Sequence, residues 1–180
     1  GDGADCPDGT VLEELADHVA DIARTWTGRP VTLVGHSMGT AVALLCTLRH
    51  PDAVAGLVLA GPAHPDHVLW GLRRLMAHPR LAGPAIVLTR VTARASGSLA
   101  PAHGGGWMGS ALRRHRAAGR ASVATLERTL RAVTTTDFPA RLGDVRVPVL
   151  IVAGTWDLQA RVAGARALAG ALPTARLVVL

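Results

Sequence analysis

The run Gly35-His36-Ser37-Met38-Gly39 lies between two segments of different periodicity, and its position restricts the fold more than any other feature of the chain. Before it, Val31-Thr32-Leu33-Val34 is almost continuously apolar, the pattern of a short strand buried on both faces. After it, Ala41, Leu44, Leu45 and Leu48 recur at helical spacing until Pro51 stops the helix. Only a sharp strand-to-helix turn fits in so few residues. In such a turn the central Ser37 takes strained backbone angles that lift its hydroxyl clear of the sheet. Gly35 and Gly39 are expected to carry no side chain because strand and helix pass closely there.

The rest of the chain repeats the alternation. Residues 10–26 predict an amphipathic helix with Leu12, Leu15, Val19, Ile22 and Trp26 on its apolar face, opened by a Thr10-x-x-Glu13 capping box and closed by Gly28-Arg29-Pro30. Val54–Ala60 reads as a second buried strand ended by Gly61-Pro62, and residues 147–153 as a third, with Pro148 near its start. Residues 160–172 read as a helix, and 176–180 as the start of a fourth strand. Strands alternating with helices predict an α/β fold with a mostly parallel sheet.

Residues 62–140 break this rhythm. Val68, Leu69, Leu72, Leu75 and Met76 form one helical face, and Val123, Leu126, Leu130 and Val133 another. Pro101 and Gly104-Gly105-Gly106 lie in a connector between them. The expected organisation is therefore a core of residues 1–61 and 141–180 with a helical cap, 62–140, inserted between two strands.

Composition removes several classes of function. With 49% hydrophobic residues and a mean hydropathy of +0.29, the 180-residue chain can bury a core and is not disordered overall. No apolar run reaches the length of a membrane span, and the first nine residues, with three Asp, resemble no targeting signal. Cys6 and Cys46 make neither a disulfide framework nor a zinc pattern, so a cytoplasmic setting is expected. All 19 basic residues are Arg. Eleven fall in 62–140 against three acids, a balance of +8. This block reads first as a solvated arginine surface; attraction of an anionic substrate, a carrier protein or a membrane surface is the other reading. Four Trp and one Phe, scattered singly, give no stacking platform for nucleic acid.

The chemistry rests on Ser37. A helix starting directly after it points its N-terminus at the hydroxyl, so the Met38 N–H and the helix dipole can hold an oxyanion. The alternative is a serine that merely caps the helix. The segment VTLVGHSMGTAVALLCTLRHPDAVAGLVLAGPA, residues 31–63, resembles the nucleophile-elbow region of the α/β-hydrolase superfamily, and PVLIVAGTWD, residues 148–157, is similar to the strand that ends in its triad acid. The resemblance spans both flanks but not the sequence of the cap.

The resemblance implies a partial α/β-hydrolase fold with Ser37 as nucleophile and Asp157 as the acid that orients a general-base histidine. Asp66, soon after the second strand, is a rival acid. The family pattern sets the histidine in a loop after the last strand, yet no histidine follows His115. It is thus expected beyond Leu180, with the second oxyanion donor upstream of Gly1, as in a fragment of a longer enzyme. His36 packs near the elbow in this pattern. His18 and His50 fall on helix surfaces, and His78, His103 and His115 on the cap. His64 and His67 form at most a weak ligand pair, so no metal and no organic cofactor is expected.

The function implied is a hydrolase cleaving an ester, thioester or related acyl bond of a small-molecule acyl substrate through an acyl-enzyme. A thioesterase acting on carrier-protein acyl thioesters is one alternative. A non-catalytic binding protein on the same fold is another. Oligomeric state is left open.

Overall fold

The apolar runs become four parallel strands, in the order in which they occur along the chain. The computed structural model describes residues 11–62, 78, 80, 83–84, 86–88, 91–92, 124, 127, 141–157 and 160–180. The chain divides into two compact units, residues 5–73 with 132–180 and residues 1–4 with 74–131. In the first, α1 (Val11–Thr27), β1 (Val31–His36), α2 (Met38–Arg49) and β2 (Val54–Ala60) are followed by β3 (Val149–Ala153), α3 (Val162–Ala171) and β4 (Ala175–Val179). Sheet order is β1-β2-β3-β4, every pair parallel. The residues that follow β1, β2 and β3 therefore meet at one carboxyl edge of the sheet, where ligand sites of open α/β sheets form.

The core lies between the sheet and the helices packed against it. Leu57, Leu59, Val149, Ile151 and Ala153 are at most 3% exposed on the strands. Each large aliphatic side chain buried this way contributes about 1.5–3 kcal/mol. Helix α2 packs against α1 on one side and against β1 and β2 on the other. Its residues Thr40–Leu44, Cys46 and Thr47 are all buried, a broader surface than the single face expected. The buried Thr47 hydroxyl is satisfied by donating to the Ala43 carbonyl at 2.8 Å.

Two expectations about burial are corrected. In α1 the deeply buried residues are Leu12, Ala16, Ala20 and Ala23, whereas Ile22 and Trp26 are 51% and 81% exposed. Alanines let the backbones of α1 and α2 approach closely, so the small residues, not the largest ones, define the contact face. Leu15 and Val19 pack at its margin. The second correction is β1, which is not buried on both faces: Thr32, Val34 and His36 are exposed, Val34 at 75%. β1 is an edge strand of the described sheet, and only its Val31-Leu33-Gly35 face turns inward.

Far from the carboxyl edge, charges tie α1 to the end of α2. Arg49 grips Asp17 through two bonds of 2.8 Å, and His50 Nε2 lies 2.7 Å from the same carboxylate. Arg24 reaches Asp52 at 2.9 Å. The Arg49 bond, then the His50 contact, hold the Asp17 carboxyl well below its usual range, at about 2. Beside this cluster, burial pushes the Cys46 thiol up to about 11, so it stays protonated and unreactive.

In the second unit the described residues between 80 and 92, together with 124 and 127, are helical, and Ile86 is buried at 2% exposure. Thr10, the capping box it would form, the apolar residues of the helical faces expected at 68–76 and 123–133 and the glycine connector fall outside the described residues. No helix among the described residues is long and apolar enough to cross a membrane.

Candidate active site

The turn from β1 into α2 is as sharp as its sequence requires. Ser37 has φ 53° and ψ −119°, and among the described residues it alone has positive φ without being glycine. An L-residue in that region is strained at a cost of about 1–3 kcal/mol and persists only where its surroundings fix it. The fixing bonds are visible. The Ser37 N–H donates to the Ala60 carbonyl at the end of β2, at 3.0 Å. Its carbonyl accepts from the Thr40 N–H at 3.0 Å and the Thr40 hydroxyl at 2.6 Å. Thr40, 2% exposed, was not singled out by sequence reasoning. A hydroxyl one residue after the G-x-S-x-G run, facing back into the turn, was the available signal.

Ser37 is exposed, and its side chain makes no cap hydrogen bond to α2. The capping alternative therefore lacks its defining contact. α2 begins at Met38, so that residue's N–H belongs to the first turn, whose donors have no partner within the helix.

The two glycines differ. A Cβ on Gly35 would lie 2.7 Å from the Gly39 carbonyl carbon and 2.8 Å from the Thr40 nitrogen, distances that backbone atoms cannot relieve without moving the turn. A Cβ on Gly39 would meet none of the described residues within 4 Å. The expected crowding is thus corrected at Gly39: it supplies the backbone that fills the space above Gly35, and among the described residues nothing crowds the place of its own side chain.

Asp157 follows β3 at the same edge. Its Oδ1 accepts the Ala160 N–H at 2.8 Å, the local capping contact open to any loop aspartate. A second feature goes beyond that. Gly61, just after β2, has φ +54°, and a Cβ there would lie 3.3 Å from Asp157 Oδ2, 3.7 Å from Ala160 Cβ and 3.9 Å from His36 Nε2. The bare Cα of Gly61 is therefore the floor over which Asp157 and His36 converge. The sequence marks Gly61 as a strand stop; its place directly after a buried strand at this edge is the clue to its second role. The Gly61 N–H donates to the Val152 carbonyl at 2.8 Å, which ties β2 to β3 beneath the site. From Ser37 to Ala60, Gly61 and Asp157, one line of contacts runs along the carboxyl edge.

The loop carrying Asp157 is anchored from β4. Both the N–H and the hydroxyl of Thr155 donate to the Leu180 carbonyl, at 2.8 and 2.9 Å. Trp156 beside Asp157 is 92% exposed. Asp66, His64, His67, His103 and His115 fall outside the described residues; His18, His36 and His78 are exposed and His50 is bonded to Asp17. Among the described residues no three His, Cys, Asp or Glu side chains are grouped to hold a metal ion.

A parallel sheet with a strained serine between strand and helix, and a carboxylate after the second strand beyond it, is the arrangement of an α/β-hydrolase fold. A family model described as serine aminopeptidase, S33, matches residues 8–179, and the chain belongs to this family of α/β-hydrolases. Over 58 residues, 31% of this chain, it is 39% identical to a monoglyceride lipase from Homo sapiens, of which the match spans 19%. An esterase from Exiguobacterium antarcticum superposes with a TM-score of 0.76 at 20% identity, covering 99% of this chain and 68% of that one. For a hydrolase from Pseudomonas aeruginosa the TM-score is 0.72 at 22% identity, with 100% and 67% covered. At these identities the solved structures establish the fold. The chain spans about a fifth of the curated relative it matches.

Proposed function

We propose that the chain carries the nucleophile and acid of a serine ester hydrolase working through an acyl-enzyme. The observation that carries this reading is the backbone of Ser37: a strained, non-glycine φ of 53° under an exposed hydroxyl at the start of a helix. In this reading Ser37 Oγ attacks the acyl carbonyl while a histidine base takes its proton. The negative oxygen that forms is held by the Met38 N–H and the N-terminal end of α2. The histidine then protonates the leaving alcohol, and water releases the acid by the same steps. Asp157 keeps the histidine in the right tautomer and stabilises its charged form. The family pattern sets that histidine after the last strand.

A carboxylic ester is preferred to a thioester because of the local likeness to a monoglyceride lipase. A carrier-protein thioesterase is the second reading, favoured by the +8 balance of residues 62–140. Hydrolysis of matched oxygen esters and thioesters by a preparation that includes the expected histidine segment tests both. Ester turnover that falls about 10³-fold or more in Ser37→Ala is the expected result. Turnover unchanged by Ser37→Ala overturns the mechanism, and selective turnover of carrier-bound thioesters overturns the preferred substrate.

A further inference from the structure

His36 ends β1 one residue before Ser37, and the fold brings its ring to the acid of the site. In the β1–β2 register His36 stands level with Ala60, one step before Gly61. Strand alternation puts it with Thr32 and Val34 on the exposed face of β1. From there its Nε2 reaches over the end of β2. The place a Gly61 Cβ would take is 3.9 Å from His36 Nε2 and 3.3 Å from Asp157 Oδ2.

The two oxygens of Asp157 face different ways. Oδ1 accepts the Ala160 N–H at 2.8 Å, so Oδ2 is the oxygen turned toward Gly61 and His36. A carboxylate oxygen has lone pairs for two donors, so Oδ2 can serve His36 and a base histidine together. Gly61, at φ +54°, keeps the point between Nε2 and Oδ2 clear of any side chain. An ordinary surface histidine needs no such clearance opposite a carboxylate. One water at that point joins an imidazole N–H to a carboxylate almost as well as a direct bond does.

A carboxylate that orients a base must itself be fixed, because small misplacements are costly in rate. Asp157 lies on a loop whose neighbouring side chain, Trp156, is 92% exposed and lends little packing. Thr155 anchors the backbone of that loop to Leu180; His36 reaches the carboxylate from the opposite side of the sheet edge.

We propose that His36 is a positioning residue: its Nε2–H, through one bridging water over Gly61, holds Asp157 Oδ2 in line with the base histidine. This deepens the ester-hydrolase reading and rests on its assignment of Asp157.

The test is ester turnover by the enzyme with its expected histidine segment, in variants at position 36. His36→Gln sets an amide N–H where Nε2 stands, His36→Asn sets one where Nδ1 stands, and His36→Leu has neither donor. His36→Gln should keep kcat within about threefold of the parent. His36→Asn and His36→Leu should lower kcat about tenfold or more. KM should stay within about twofold throughout, because Oδ2 is not a substrate contact. Gly61→Ala acts on the same oxygen, so its loss and that of His36→Leu should not multiply when the two are combined. His36 is exposed, so the melting temperature serves as the folding control.

A kcat that none of the variants lowers overturns the proposal, and so does a loss in His36→Gln as deep as in His36→Leu. Losses that multiply in the double variant do the same. Turnover that survives Ser37→Ala overturns the ester-hydrolase reading itself. Turnover lost in Ser37→Ala but untouched by His36→Leu overturns this inference alone.

Discussion

The two ends of the parallel sheet are stabilised in opposite ways. At the amino end, Asp17, Arg49, His50, Arg24 and Asp52 pair across α1, α2 and the turn before β2, so each of the two carboxylates has an arginine within hydrogen-bond reach. At the carboxyl edge Ser37 and Gly61 sit at positive φ, held by main-chain bonds to the neighbouring strands and, at the Ser37 carbonyl, by the N–H and hydroxyl of Thr40. The difference shows how a small sheet can hold a strained serine. Among the described residues the one non-glycine positive φ lies at the edge where a hydroxyl must face outward, and it is resisted by a strand ladder and by helices pinned at the far end.

Substitutions at the carboxyl edge should do the greatest harm. Asp157→Asn keeps an oxygen to accept the Ala160 N–H, so the melting temperature should stay within a few degrees of the parent. Esterase kcat should nevertheless fall about 10⁴-fold if Asp157 orients the base; a kcat within tenfold of the parent removes Asp157 from the site. Gly35→Ala is next. Its Cβ meets backbone at 2.7 and 2.8 Å, so it should cost about 3 kcal/mol or more in denaturant unfolding. Gly39→Ala, with none of the described residues within 4 Å, should fall within about 1 kcal/mol of the parent. Equal costs for the two would erase the distinction drawn between them.

Gly61→Ala tests the floor beneath Asp157. The positive φ costs an alanine about 1–2 kcal/mol, and displacement of the carboxylate should lower kcat about 10- to 100-fold. In an Asp157→Ala background the kcat effect should vanish, because it acts through that carboxylate.

The amino end should give the smallest effect, and one that acid removes. The Asp17 carboxyl titrates at about 2 in the fold, below its ordinary 3.8. Its stabilisation is therefore complete above about pH 4 and lost as the pH falls toward 2. The gap in melting temperature between the parent and Asp17→Asn should be widest at neutral pH and close near pH 2. A constant gap would show that Asp17 acts by packing alone.

What the residues disclosed beforehand follows the same division. Apolar runs bounded by Gly and Pro located the four described strands, most clearly β2 and β3, because a strand between neighbours has little choice of composition. The elbow was legible for a like reason: few sequences permit a turn that short. Burial was harder to read. Ile22 and Trp26 outweigh Ala16, Ala20 and Ala23 on any hydrophobic scale, yet close helix packing selects the alanines. Val34 looked like core because strand type does not disclose edge position. Thr40 and Gly61 each stand beside a motif, yet the bonds that give them a role, to Ser37 and to Val152, appear only in the folded chain. At Gly39 the expected crowding is not met among the described residues, because the close approach is of its backbone to Gly35.

The central claim is that the Ser37 hydroxyl is the nucleophile. It is tested most directly by reacting the enzyme, with its expected histidine segment, with a fluorophosphonate and mapping the adduct by peptide mass spectrometry. The account predicts one phosphonyl group per chain, on Ser37, and none in Ser37→Ala. An adduct on another residue, or labelling that survives Ser37→Ala, would contradict it.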